Sequence, residues 1–257
     1  MKFSKHHIVF FGVVCLLAIN FFCFKENGIF WKLNILILLV YLVVLYVAVT
    51  RIRLNYFLNT INSGKEKGIS LTFDDGPNTD FTEKILDILK VKNVKASFFI
   101  IGKNIAGNEA ILKRIDKEGH LVGNHSFSHL YWYNSLLPKK IKADINKAND
   151  AIFEVLAKKP RYFRTPFGLT SPNIAKALEN NEYISIGWDF RSFDTMAKDE
   201  EKLLNKLKTN AKQCSIVLLH DNNNITLAVL ERFIDYCQEN GIEIVSLDKM
   251  IGEKAYN

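Results

Sequence analysis

The sequence predicts an α/β fold built on a parallel sheet, preceded by two apolar helices. Three observations carry that reading. From residue 68 onward the hydrophobic period switches repeatedly between strand and helix, the pattern of successive βα units. Most of the expected strands end in ionisable groups beside turn residues. The first 50 residues hold only 4 Lys and 1 Glu among their charged side chains, and two long apolar runs fill that stretch.

Composition narrows the classes. The chain has 257 residues, 48% hydrophobic and 24% charged. That is ordinary globular usage and excludes disorder, a collagen-like repeat and a coiled coil. With 13 Gly and 5 Pro there is no low-complexity linker, and 4 Cys are too few for a disulfide scaffold. The net charge of +7 comes from scattered lysines. No block of like charges forms a basic arm, so no nucleic-acid partner is expected.

The apolar runs cover residues 8–24 and 33–50. A spanning helix needs about 20 apolar residues, with a range of about 17–25. Both runs reach that range. A polar-aromatic loop, 25–32, carries an Asn-Gly turn signal between them. A cleaved signal peptide followed by one anchor is the alternative. However, no small-x-small cleavage site follows the first run, where the chain continues Phe24-Lys25-Glu26-Asn27. A two-pass cell-membrane anchor is therefore expected over 1–53, a linker over 54–66 and a folded domain over 67–257. Lys2 and Lys5, Lys25 and Lys32, and Arg51 and Arg53 balance one another around the runs. Lys65 and Lys67 add a small excess after the second, which leaves the side of the membrane open.

The elements follow in order. Residues 69–73 form the first strand, and 81–92 an amphipathic helix with Leu86, Ile88 and Leu89 inward. A strand at 96–101 precedes a helix at 109–117 and a short strand at 120–123. The long helix 138–157 spaces Ile141, Ile145, Ala148, Ile152 and Leu156 along one face. A strand at 162–165 leads into a helix at 171–180, capped by Ser171 with Pro172 in its first turn. A strand at 183–188, a helix at 200–212, a strand at 215–220, a helix at 226–240 ended by Gly241 and a strand at 242–247 complete the chain. Seven strands suit either an open sheet or a small irregular barrel. In both, active residues gather at the C-terminal ends of strands.

Those ends carry the chemistry. His125 and His129 are four apart, and a helical turn places both on one face. Two imidazoles and a carboxylate suit a divalent transition metal, although the spacing alone also fits two capping histidines. Asp74 and Asp75 are adjacent, so they can share a site only if the strand has already turned, which Gly76-Pro77 supplies. One carboxylate can then bind the metal while the other takes a proton. His220 closes an apolar strand and, with neighbouring Asp221, suits a titrating acid; the alternative is a core histidine. Arg164 can hold a carboxylate bidentately or lie at the surface.

Four segments together carry a resemblance. Thr72-Phe73-Asp74-Asp75-Gly76-Pro77, His125-Ser126-Phe127-Ser128-His129, Arg164-Thr165-Pro166-Phe167-Gly168 and Leu218-Leu219-His220-Asp221 resemble, in order and spacing, the motifs of the NodB-homology polysaccharide deacetylases, carbohydrate esterase family 4. The resemblance covers about residues 66–250. It implies a distorted, incomplete (β/α) barrel and hydrolysis of an N-acetyl or N-formyl group on an amino sugar. It also implies that Asp75, His125 and His129 bind one divalent metal, usually zinc, with cobalt or another transition metal as alternatives. Asp74 is then the general base, His220 the general acid, and Arg164 the residue that orients Asp74. The Phe167 N–H, with Pro166, forms the oxyanion wall, and Leu218 lines the acyl pocket.

One motif departs from the family pattern Asp-x-x-Asp-Trp. Aligned on Trp188, this chain reads Arg191-Ser192-Phe193-Asp194-Thr195. The usual carboxylate partner of Arg164 is then expected to be missing, with Asp189 or Asp194 as substitutes and Trp188 as support. The expected substrate is an amino-sugar glycan such as peptidoglycan, or a lipid-linked amino sugar if the domain faces the cytoplasm. Two other classes compete. A non-heme iron oxygenase shares the two-histidine, one-carboxylate set, but it needs neither the second Asp nor the strand-end His. A non-catalytic glycan-binding module has no need of Asp74 or His220, and both are present.

Overall fold

The computed structural model describes residues 5–179 and 182–257. Lys2 of the charge pattern and Asn180 of the expected sixth helix lie outside the described residues. Two apolar helices come first, α1 (Lys5–Phe24) and α2 (Ile29–Thr50). Each is long and apolar enough to cross a membrane. The connection is shorter than the expected loop. The Asn27 side chain accepts the Ile29 N–H at 3.0 Å, so the chain reverses within 25–28 and α2 begins before the second apolar run. The two helices are joined by amides: Asn20 Nδ2 donates to Asn34 Oδ1 at 2.9 Å and to the Phe30 carbonyl at 3.1 Å.

The remaining chain builds one sheet of seven parallel strands. They are β1 (Ile69–Asp74), β2 (Ser97–Ile100), β3 (Leu121–Asn124), β4 (Tyr162–Phe163), β5 (Ile184–Ser185), β6 (Phe190–Arg191) and β7 (Ser215–His220). Their order is β5-β4-β3-β2-β1-β7-β6, with β1 between β2 and β7 and buried along its whole length. A strand covered on both faces wants a near-continuous apolar run, which β7 supplies; β1 instead alternates Ile69, Leu71 and Phe73 with buried Ser70, Thr72 and Asp74. Within the stretch read as a linker, Ile61 bridges to Ile186 and Ser63 to Ser215 across the open seam. The result is the distorted, incomplete barrel that the resemblance implied.

Helices cover the outer face: α3 (Thr82–Val91), α4 (Glu109–Lys117), α5 (Pro138–Leu156), α6 (Pro172–Leu178), α7 (Glu200–Asn210), α8 (Asn224–Glu239) and the short α9 (Leu247–Ile251). Their starts follow sequence chemistry. Ser171, Asp199 and Asn223 accept the N–H groups of Ile174, Lys202 and Thr226, and Pro138 and Pro172 open their helices. Leu86, Leu204 and Phe233 pack against Phe73, Val217 and Leu219 between helices and sheet. Phe99, Ile186, Trp188, Ile216 and Leu218 form a second core on the concave side.

Two strands differ from expectation. Residues 242–247 form no strand. Ile244 makes one bridge to Ile69, where β1 projects past β2. From Thr72 onward β2 occupies that edge, so pairing stops and the chain turns into α9. Conversely, β6 is only two residues long, too short for any periodic signal.

Candidate active site

The strand register sets the site. On β1, Thr72 lies opposite Leu218 of β7, and Asp74 opposite His220. Residues two apart share a face, so all four side chains fall on one side of the sheet. Asp75 has φ 82°, so the chain has left the strand and its carboxylate swings back towards the same end as Asp74. The histidines get there differently from expectation. No helical turn joins His125 to His129; the loop after β3 reverses through positive φ at Ser126 (66°) and His129 (48°). The Asn124 side chain holds the Ser126 N–H at 2.8 Å, and Ser126 Oγ accepts the His129 N–H at 3.0 Å.

Asp75, His125 and His129 offer ligand atoms that all lie within 4.8 Å of one another. His125 Nε2 and His129 Nε2 stand 3.7 and 3.5 Å from Asp75 Oδ1. His125 Nδ1 is 2.8 Å from the Arg164 carbonyl, which fixes that nitrogen as the protonated one and leaves Nε2 free to ligate. Burial, with His125 beside it, pushes the His129 imidazole down to about 3, so its ring is neutral across the physiological range. Burial raises the Asp75 carboxyl, against the pull of His125 and His220 and a 2.9 Å hydrogen bond from Asn222 Nδ2. Two imidazoles and a carboxylate converging on one point are a donor set that fits a divalent transition ion.

Asp74 faces the same point from below. Its Oδ2 is 3.7 Å from His125 Nε2, while Oδ1 accepts a 2.7 Å hydrogen bond from Arg164 Nη1. Arg164 is fully buried, and its one carboxylate partner among the described residues is Asp74; neither Asp189 nor Asp194 substitutes for the motif carboxylate, and neutral acceptors fill the remaining edge. Besides Asp74 it donates to Thr72 Oγ1 (2.9 Å) and to the Ile186 and Gly187 carbonyls (3.3 and 2.9 Å). Its guanidinium carbon lies 4.0 Å from the Phe99 ring centroid and 5.6 Å from that of Trp188. Desolvating a lone guanidinium is costly; here every side is occupied by an acceptor or a ring face.

His220 is backed by Asp194, not by its neighbour Asp221. His220 Nδ1 lies 2.8 Å from Asp194 Oδ1, and the His220 N–H donates to Asp194 Oδ2 at 2.7 Å. Thr226 Oγ1 and Ser192 Oγ donate to the same carboxylate. Asp221 is fully buried and turned away, accepting from Thr82 Oγ1 at 2.6 Å, because consecutive strand residues face opposite ways. Burial pushes Asp221 up to about 7. Burial also works against charge on His220, but the hydrogen bond and charge of Asp194, with Asp74 and Asp75 nearby, outweigh it and bring the imidazole to about 9. Burial likewise opposes the Asp194 charge; His220, Thr226 and Ser192 overcome it and hold the carboxyl below its usual range.

The remaining expected residues fall into two groups. Phe167 sits in a left-handed turn (φ 58°) between Pro166 and Gly168, its ring 4.5 Å from that of His129. Its N–H has no protein acceptor among the described residues. Leu218 and Trp188 line the concave face, both nearly buried. Asp189 lies apart: its carboxylate holds Ser215 Oγ and the Ile216 N–H at the start of β7. Sequence reasoning missed Thr72 and Asn222, which position Arg164 and Asp75. Both flank singled-out residues, and period-2 alternation from Asp74 reaches Thr72.

A parallel half-barrel with a carboxylate–imidazole donor set and a further carboxylate and imidazole at its strand ends fits a hydrolase class. Comparison with known proteins agrees. The sequence profile of the polysaccharide deacetylases matches residues 61–186. A peptidoglycan-N-acetylglucosamine deacetylase of Bacillus cereus is 34% identical over 194 residues, covering 74% of this chain and 90% of that protein. The peptidoglycan-N-acetylmuramic acid deacetylase PdaA of Bacillus subtilis is 28% identical over 198 residues, 76% of this chain and 75% of that protein. The crystal structure of the Bc1960 peptidoglycan N-acetylglucosamine deacetylase superposes with a TM-score of 0.72 at 29% identity, covering 76% of this chain and 94% of that one. The chain belongs to the polysaccharide deacetylase family. It is a hydrolase of carbon–nitrogen bonds other than peptide bonds.

Proposed function

We propose that this chain is a membrane-anchored, metal-dependent deacetylase of amino sugars in peptidoglycan or another cell-surface glycan. One observation carries the reading: an Arg164-held carboxylate and an Asp194-backed imidazole stand at the same strand ends as the Asp75–His125–His129 donor set. A divalent ion held there, with zinc as the expected metal, supplies a Lewis acid that makes a water nucleophilic near neutral pH. The chain's own residues do the rest. Asp74 Oδ2 takes the proton from the attacking water, since its other oxygen is engaged by Arg164. The Phe167 N–H donates to the oxygen of the acyl carbonyl as negative charge develops on it. Leu218 packs against the acyl methyl. As the carbon–nitrogen bond breaks, the His220 imidazolium gives its proton to the leaving amine, and Asp194 stabilises the ring in the charged state. The products are a carboxylate and a free amino sugar.

Asp74→Asn tests the assignment. Acetate release from peptidoglycan should drop about 10²–10⁴-fold with bound metal unchanged. Turnover near that of the wild type overturns the role of Asp74. His125→Ala should instead lose metal; full occupancy in that variant overturns the ligand set.

A lipid-linked amino sugar is the second reading, favoured by how the wall of the site meets α2. The Thr170 N–H donates to the Val49 carbonyl at 3.0 Å and Thr170 Oγ1 to that of Ala48 at 3.1 Å. Three residues of chain span at most about 11 Å, so Phe167 sits beside the end of the second apolar helix. Protease accessibility decides between the two. Digestion of the domain in intact cells supports the surface glycan. Protection in cells with digestion in inverted vesicles supports the lipid-linked sugar.

A further inference from the structure

Arg191 is a charged side chain with no charged partner, placed one row from the reaction centre. It lies opposite Leu218 on β7, and Leu218 lies opposite Thr72 on β1. Directly opposed residues share a face, so Arg191 points to the concave side with Thr72, Asp74 and His220. Adjacent strands are about 4.8 Å apart, so the Arg191 backbone is about 10 Å from that of Thr72. Its guanidinium carbon stands 5.7 Å from the Trp188 ring centroid and 4.9 Å from that of Phe193. Trp188 touches Arg164 in turn at 5.6 Å. Arg191 and the Asp74–Arg164 pair are therefore separated by one indole.

The two arginines differ in what they hold. Arg164 makes four hydrogen bonds. The Arg191 side chain makes no hydrogen bond or ion pair among the described residues, and its buried Nε lacks an acceptor. The nearest carboxylates are occupied: Asp194 by His220, Thr226 and Ser192, and Asp189 by Ser215 and Ile216. The neighbouring charge is also positive, since Lys206 Nζ lies 4.3 Å over the Phe193 ring and donates to the Ser192 carbonyl. Two ring faces fix a planar donor fork and leave its hydrogen-bonding edge without a protein acceptor. That is a pre-organised receptor for an oxyanion.

We propose that Arg191 anchors an anion subsite, one that takes a carboxylate or phosphate carried by an acidic amino-sugar substrate while the acyl group lies at Asp74 and His220. This deepens the function proposed above and rests on it. Two sources offer the same chemistry: the lactyl carboxylate of a muramyl residue, and the phosphate of a lipid-linked sugar.

The test compares full-length wild type, Arg191→Gln and Arg191→Lys in detergent. Three substrates are used: a neutral N-acetylglucosamine tetramer, a glycan containing N-acetylmuramic acid, and a polyprenyl-phosphate-linked N-acetyl amino sugar. A charge-assisted bidentate contact predicts that the acidic-to-neutral ratio of kcat/KM falls about 10–100-fold in Arg191→Gln and is partly retained in Arg191→Lys. A ratio that falls for the muramyl glycan alone assigns the subsite to a carboxylate. One that falls for the phosphate-linked sugar alone assigns it to a phosphate. Calorimetry with free muramic acid and a sugar 1-phosphate gives a readout independent of turnover: the preferred ligand should bind more weakly to Arg191→Gln by a similar factor. A change equal for all three substrates, with unchanged ligand affinity, reveals a purely structural arginine and overturns the proposal. Absence of turnover in the wild type overturns the proposed function instead, and the calorimetric comparison still decides the subsite.

Discussion

At the scale of single residues, the surroundings separate Asp74 and His220, the proposed base and acid. Arg164 keeps Asp74 in contact with positive charge, whereas Asp194 keeps His220 in contact with negative charge. The pH consequence has a definite sign. An acid must be protonated to donate, so the alkaline limb of kcat/KM should fall as pH rises through about 9, the His220 value. In Asp194→Asn the support is gone, and that limb should move down towards the ordinary imidazole range near 6.5. A pH–rate profile checks this, and an unmoved limb removes Asp194 from the argument. Asp221 carries a different consequence. Its folded value, about 7, lies above the unfolded carboxyl value of 3.8, so the folded chain binds the extra proton between those limits. Stability should therefore fall as pH rises from about 4 to 7, by up to about 1.4 kcal/mol per pH unit. Asp221→Asn should flatten that slope in urea titrations at several pH values. These residues show the limit of reading a strand end. His220 and Asp74 were legible because chemistry-bearing residues sat beside turn signals. The partner of His220 was not, because Asp194 reaches it across β6 and β7, a contact that only the register determines.

At the scale of elements, the sequence reading worked where hydrophobic period and length were both present. It located the long helices, the capping residues Ser171 and Pro172, and the buried strands β1 and β7. It failed at the two-residue β6 and at 242–247, whose apolar run meets an edge already occupied by β2. The four-residue spacing of His125 and His129 suits a helical turn, yet an Asn124–Ser126 turn brings them together. The turn at Pro166–Gly168 offers an element-level test. Gly168 has φ 69°, and a Cβ built there would lie 2.2 Å from Trp188 Cη2. Gly168→Ala should cost about 2 kcal/mol or more, from left-handed strain together with overpacking. It should also displace the indole that separates Arg164 from Arg191. Chemical denaturation of the full chain in detergent measures the first effect; an unchanged midpoint contradicts it.

At the scale of the whole molecule, the helical pair and the barrel are joined by more than a peptide link. Arg53 Nη1 donates to the Asp189 carbonyl at 2.9 Å, and Thr170 bonds to the last turn of α2. Two apolar spans predict that the chain stays in the membrane pellet through an alkaline carbonate wash and leaves it only with detergent. Release by carbonate alone would argue for peripheral attachment. Those Thr170 bonds also set how a substrate is met. Under the proposed anchoring, a site wall tied to the end of α2 would not tumble freely. With the proposed anchor in a bilayer it would sweep a thin layer above the surface by lateral drift, and encounter rates would follow the areal density of substrate and not its bulk molarity. Diluting the suspension should then leave turnover of a membrane-bound sugar unchanged, whereas diluting the membrane with inert lipid should slow it.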